Sequence, residues 1–209
     1  MKKLISFVMM LLVMAAVNPV ELYAQGLPKD QVKQVKKQAK DLVKEGWKVQ
    51  GSTTVEGKLL EIRQRENAGE IPLTGAAMDG YKKSNTALSH CKTNAVEEYV
   101  QMTGENSVKG RVTSAVSDLS EEEVDNLVDM AEQNFKETLK GELGLPVLKL
   151  IKQDPKTGLW AMQCWWLLSE KKIEQIRDQA AKQAISDAEG ASKVGESISD
   201  FIKAGSDAK

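Results

Sequence analysis

The sequence predicts an α+β fold: a small, mostly antiparallel sheet with amphipathic helices packed on one face and a helical carboxyl-terminal extension. Three observations lead there. Apolar residues recur at spacings of three and four in several segments, the signature of helices with one buried stripe. Two runs of alternating apolar residues flank the turn-forming cluster Asp154-Pro155-Lys156-Thr157-Gly158, the pattern of a β-hairpin. The composition, 41% hydrophobic with 29 basic against 30 acidic residues in a chain of 209, is that of a globular protein long enough to bury a core without metals or several disulfides.

Residues 1–24 read as an export signal and not as fold. Lys2 and Lys3 form a positive start, Leu4 to Val17 is the apolar run, and Leu22-Tyr23-Ala24 offers a small residue at a cleavage site before Gln25. That run is shorter than the roughly 18–20 residues of a membrane-spanning helix. No later stretch approaches that length, so the expectation after cleavage is a soluble or peripheral protein without a transmembrane span. The mature chain divides into an α+β domain over 25–169 and a helical extension over 170–209.

Residues 30–45 carry Val32, Val35, Ala39, Leu42 and Val43 at helical spacing between lysines, with Gly46 as the stop. Trp47, Val49 and Gly51 suggest a short strand and turn. Val55 to Asn67 fits a helix better than a strand. Ile71 to Gly80, with Pro72, Gly75 and Gly80, is a strand edge or loop. Asn85 to Met102 is a helix with Leu88, Cys91, Ala95, Tyr99 and Met102 as its stripe. The alternation Val108, Gly110, Val112, Ser114, Val116 reads as a strand. Ser120 and Glu123 form an S-x-x-E capping box, with Leu119 and Val124 placed as a staple, opening a helix over 121–140 whose stripe is Val124, Leu127, Val128, Ala131, Phe135 and Leu139.

The hairpin comes next, Leu145 to Gln153 and Leu159 to Leu168. If its turn is symmetric, Leu148 and Leu150 share the core face with Met162, Cys164, Trp166 and Leu168, while Lys149, Ile151, Ala161, Gln163 and Trp165 share the other. From Ser169 the chain is helical, with Ile173, Ile176, Ala180 and Ile185 forming a stripe that Gly190 interrupts and Val194, Ile198, Phe201 and Ile202 beginning another.

The order of signal, helix (Asn85 to Met102), valine-alternating strand (Ser107 to Val116), capped helix and aromatic hairpin followed by a helix resembles the LPP-twenty type of bacterial envelope protein. The likeness is one of organisation over about residues 75 to 175. It implies an α+β protein of the surface or outer membrane, and no catalytic residues to carry over. The chain departs from that family in lacking a lipobox cysteine beside the cleavage site.

The chemistry-bearing residues are few. One histidine and two cysteines cannot supply a four-ligand zinc site, and there is no G-x-S-x-G, P-loop, H-E-x-x-H or dinucleotide fingerprint. His90 and Cys91 diverge by about 100° on a helix, against a nucleophile–base pair. Ser84-Asn85 after Gly75 and Gly80 reads as a plain helix cap. Glu121-Glu122-Glu123 sits in a first helical turn, where carboxylates meet the positive end of the macrodipole. A net charge of −1 leaves no footprint for nucleic acid. Cys91 and Cys164 fall on facing stripes, either as a disulfide in an exported protein or as two separately buried thiols. Three of the four tryptophans lie at 160, 165 and 166. Trp165 and Trp160, with Ile198 and Phe201 of the tail, are the candidate partner-binding residues.

The expectation is therefore an exported cell-envelope protein, periplasmic or outer-membrane-associated, that acts by interaction or assembly with an envelope partner and is not an enzyme. No cofactor and no metal are expected. The alternative is a periplasmic binding module for a small molecule or glycan, with an aromatic-lined pocket beside Trp160 or Trp165.

Overall fold

A computed structural model describes residues 26–206 apart from 52, 104, 105 and 116–119, and at 106, 107 and 189–206 it describes the backbone alone. The export signal over 1–24 and Leu119 of the expected staple lie outside the described residues. In chain order the elements are α1 (Lys29–Lys44), β1 (Lys48–Val49), α2 (Val55–Asn67), β2 (Glu70–Tyr81), α3 (Ser84–Thr103), α4 (Asn106–Ala115), α5 (Glu121–Glu142), β3 (Leu148–Gln153), β4 (Trp160–Ser169) and α6 (Glu170–Ser206). The class is α+β, helices packed on an antiparallel four-stranded sheet. None of the described helices is long and apolar enough to cross a membrane.

The chain gathers into two compact units, one made of residues up to Cys91 with Leu145–Leu168, the other of Lys92–Gly144 with the chain from Ser169 on. The sequence suggests instead a domain over 25–169 with an extension after it. The difference arises because α6 packs along α4 and α5 and buries Ile173, Ile176, Ala180, Ala181 and Ala184. It is a core element of the second unit.

The first unit holds the sheet, in the order β1-β3-β4-β2. β2, expected as an edge or loop, is a long edge strand. Its amino end is tied to α2 by a two-pronged ion pair, Arg65 Nε and Nη2 donating to Glu70 at 3.0 and 2.6 Å. Its far end passes the hairpin turn closely: Gly80 has φ +79°, and a Cβ there would lie 3.0 Å from the Leu159 side chain, so both conformation and space favour glycine. α1 and α2 bring Val35, Ala39, Val55, Leu59, Leu60 and Ile62 against Trp47, Leu148, Leu150 and Leu167.

The hairpin register corrects the expected faces. Leu148 lies opposite Trp165, Lys149 opposite Cys164 and Leu150 opposite Gln163, one residue out from a symmetric turn. Asp154 is the cause. Its carboxylate accepts from the Lys156 and Thr157 amides at 2.7 and 3.0 Å, its carbonyl accepts from the Gly158 amide, and its own amide donates to Leu159 O. Leu159 is thereby held in the turn, with Gly158 at φ +68°, and the strand begins at Trp160. Because side chains alternate, this slip puts Trp165 with Leu148 and Leu150, and puts Met162, Cys164 and Trp166 on the other face. Both faces are covered: Met162, Cys164 and Trp166 are as fully buried as Leu148 and Leu150.

The second unit is helical. The strand expected over 107–116 is helix α4. Val108 and Val112 are the buried pair, and a spacing of four satisfies a helix stripe as well as it satisfies strand alternation. The intervening Gly110 and Ser114 are exposed. Val116 lies outside the described residues. α5 opens with the expected capping box, in which the Ser120 side chain accepts from the Glu123 amide and Glu123 accepts from the Ser120 amide. Leu127, Val128, Ala131, Phe135 and Leu139 form its buried stripe.

Ser120→Ala should cost about 1 kcal/mol in urea unfolding. The Glu123 carboxylate, held below its ordinary range first by the Ser120 hydroxyl and then by the Ser120 amide, ionises more readily folded than unfolded. Its contribution is complete above the ordinary carboxylate range and is lost as the pH falls through the depressed value, so Glu123→Gln should flatten the acid limb of the stability profile. In α4, Gly110 is exposed with open space about its Cα. Gly110→Ala should add about 0.5–1 kcal/mol and Gly110→Pro remove about 3 kcal/mol, measured by thermal unfolding.

Candidate functional site

Cys91 and Cys164 are brought together. Cys91 sits on the buried stripe of α3 with Ala87, and Cys164 lies at the centre of β4. Both are fully buried free thiols. The Cys91 thiol donates to Met162 O at 3.4 Å, two residues from Cys164 on the same face of β4. The Cys164 thiol is pushed above the ordinary range, first by its hydrogen bond to Cys91 and then by burial. It stays protonated at neutral pH and is no nucleophile there. His90, next in sequence, is exposed and stacks on Tyr81 with ring centroids 4.7 Å apart. It does not face the Cys91 thiol's surroundings.

The tryptophans are distributed differently from the expectation. Trp166 is buried, as expected. Trp165, expected to point outward as a contact residue, packs half-buried against the core formed by α1, α2 and β3, because the one-residue register shift places it beside Leu148. Trp160 is half-buried at the start of β4. Ile198 and Phe201 lie on the backbone of α6, which runs as one helix through Gly190; their side chains are outside the described residues.

A polar cluster that sequence reading missed lies in the second unit. Arg177 of α6 donates to Tyr99 Oη at 2.9 Å and to Glu174 at 2.5 Å. Its guanidinium lies 5.9 Å from the Tyr99 ring centroid and 5.7 Å from that of Phe135. Arg111 of α4 pairs with Glu174 and, at 2.6 Å, with Asp178. The signal was present in the spacing of Glu174, Arg177 and Asp178, which share one helix face, but nothing in sequence joins that face to Tyr99. Burial raises the Tyr99 hydroxyl above its ordinary range, opposed by the Arg177 charge. The arrangement fastens α4 and α6 to the Tyr99 and Phe135 rings.

Two surface depressions, of about 540 and 360 Å³, lie along polar faces of α6 (Gln175, Asp178, Gln179, Lys182) and α1 (Gln34, Lys37, Gln38, Asp41). Neither is lined by a tryptophan. Among the described residues no three His, Cys, Asp or Glu side chains are grouped to hold a metal ion. Comparison with known protein families, curated proteins and solved structures finds no match to this chain.

Trp165→Ala should lower stability by roughly 2 kcal/mol, as removal of a half-buried ring from a core edge does; calorimetry on the folded variant reads it. Arg177→Ala should cost roughly 2–3 kcal/mol through lost ring packing and the unpaired Tyr99 hydroxyl. Arg177→Lys should recover only part, since an ammonium lacks the planar fork.

Proposed function

We propose that the protein is an exported cell-envelope component that works by docking to another protein and not by catalysis. The observation that carries this reading is α6. It is a single helix of 37 residues, roughly 55 Å long. Its first half supplies Ile173, Ile176, Ala180 and Ala184 to the core of the second unit. After Gly190 the sequence begins another apolar stripe on the same helix, Val194, Ile198, Phe201 and Ile202. An apolar helical stripe of this kind is suited to a partner's groove or helix. The reading moves the candidate contact residues away from Trp165, which the first unit uses for packing, to Ile198 and Phe201.

Export rests on the amino-terminal pattern of Lys2, Lys3, the apolar run and Ala24. The likeness to LPP-twenty-type envelope proteins supports the same compartment. The helices and hairpin that carry it are present as expected, while the element at 107–116 is a helix here in place of a strand.

The test is expression of a carboxyl-terminally tagged chain in a bacterial host, with fractionation, amino-terminal sequencing and cross-linking in intact cells. The expected product begins at Gln25, lies outside the cytoplasm and cross-links to one abundant envelope protein. Combining Ile198→Glu with Phe201→Glu should leave the unfolding midpoint unchanged and abolish that cross-link. Recovery from the cytoplasm with residues 1–24 attached would overturn export, and an undiminished cross-link in the double variant would overturn docking through the tail.

A further inference from the structure

We propose that Cys91 and Cys164 are a disulfide-forming pair that is oxidised while the chain folds and sealed from exchange once it has folded. The Cys91 thiol reaches β4 across its interface with α3, donating to Met162 O at 3.4 Å, two residues from Cys164 on the same face of the strand, and both cysteines are 0% exposed. They are the chain's only cysteines. Burial excludes cross-links between folded molecules, so an oxidised, folded monomer can contain no other disulfide.

The step loses two protons and two electrons from the two thiols and forms one sulfur–sulfur bond. The electron acceptor is a second disulfide, either small-molecule or on an oxidoreductase, which is reduced to two thiols by way of a mixed disulfide. That intermediate needs a thiolate open to a bulky partner. In the fold neither sulfur is reachable, both being fully buried. Oxidation therefore belongs to the unfolded or opening chain. The bond then pins α3 to the centre of β4, the face of the sheet opposite Leu148 and Leu150. The reduced form folds as well, because two thiols in an apolar layer pack as small hydrophobes. The covalent state therefore records the compartment in which folding took place.

The experiment uses the purified full chain, so its outcome is separate from that of the export test. The reduced chain is unfolded in denaturant, refolded in a mixture of oxidised and reduced glutathione, then alkylated under denaturing conditions and weighed intact. The expected product is a monomer lighter by two hydrogens, with no alkylated thiol and one Cys91–Cys164 linked peptide pair. Reduction should lower its thermal midpoint by about 10 °C. The same mixture added to chain already folded in its reduced form should leave both thiols intact on the refolding timescale. Two alkylated thiols after refolding, or disulfide-linked dimers only, would overturn pairing. Equal oxidation rates from the folded and unfolded chain would overturn sealing.

Discussion

The pairing of Gln153 with Trp160 is the constraint on which the first unit depends. One carboxylate, that of Asp154, gathers the turn amides and keeps Leu159 in the loop. Every residue of β3 and β4 is then committed to a face. Leu148, Leu150 and Trp165 meet α1 and α2; Met162, Cys164 and Trp166 take the side reached by Cys91. A sheet buried on both faces needs this register fixed, because a slip of one residue exchanges the two sets in full. Asp154 is exposed, yet its carboxyl lies below the ordinary range because the Thr157 and Lys156 amides favour its charged form. The turn is thus held by the same hydrogen bonds that perturb its acid.

The second unit is organised by a different interaction. Its helices bury mostly alanine and valine along α3, α4 and α6, side chains too short to lock neighbouring helices by shape alone. Arg177 supplies specificity, stacking against Tyr99 and Phe135 while its donors reach Tyr99 and Glu174. Arg111 shares Glu174 and ties α4 into the same group. Such a chain of charges fixes which faces meet, and its cost of desolvation is limited because Asp178 and Glu174 remain partly open to water.

These two designs bear on function in opposite ways. In the first unit the residues with chemical potential, the thiols and tryptophans, are drawn into packing. In the second, α6 carries a further apolar stripe in its sequence after Gly190. The proposed docking role therefore places recognition on an element whose inner half is already anchored, so that binding orders less chain than a free peptide would require.

The sequence by itself determined the local elements. The Ser120–Glu123 box opens α5 because a hydroxyl and a carboxylate three residues apart satisfy orphan amides wherever they occur, and the turn at Asp154–Gly158 arises from the same local chemistry. Cys91 and Cys164 were legible as buried residues, since each lay on the apolar stripe of its own element, but the face of the sheet that Cys164 occupies was not. Three things were decided only by tertiary structure. Residues 106–115 became a helix because valines four apart fit both periods, and packing against α5 and α6 chose between them. Trp165 was drawn into packing because α1 and α2 supply a core over its face of the hairpin, and no local turn chemistry says which face distant helices will cover. Arg177 met Tyr99 because contact between residues distant in sequence depends on how whole helices pack, and no local spacing carries that information.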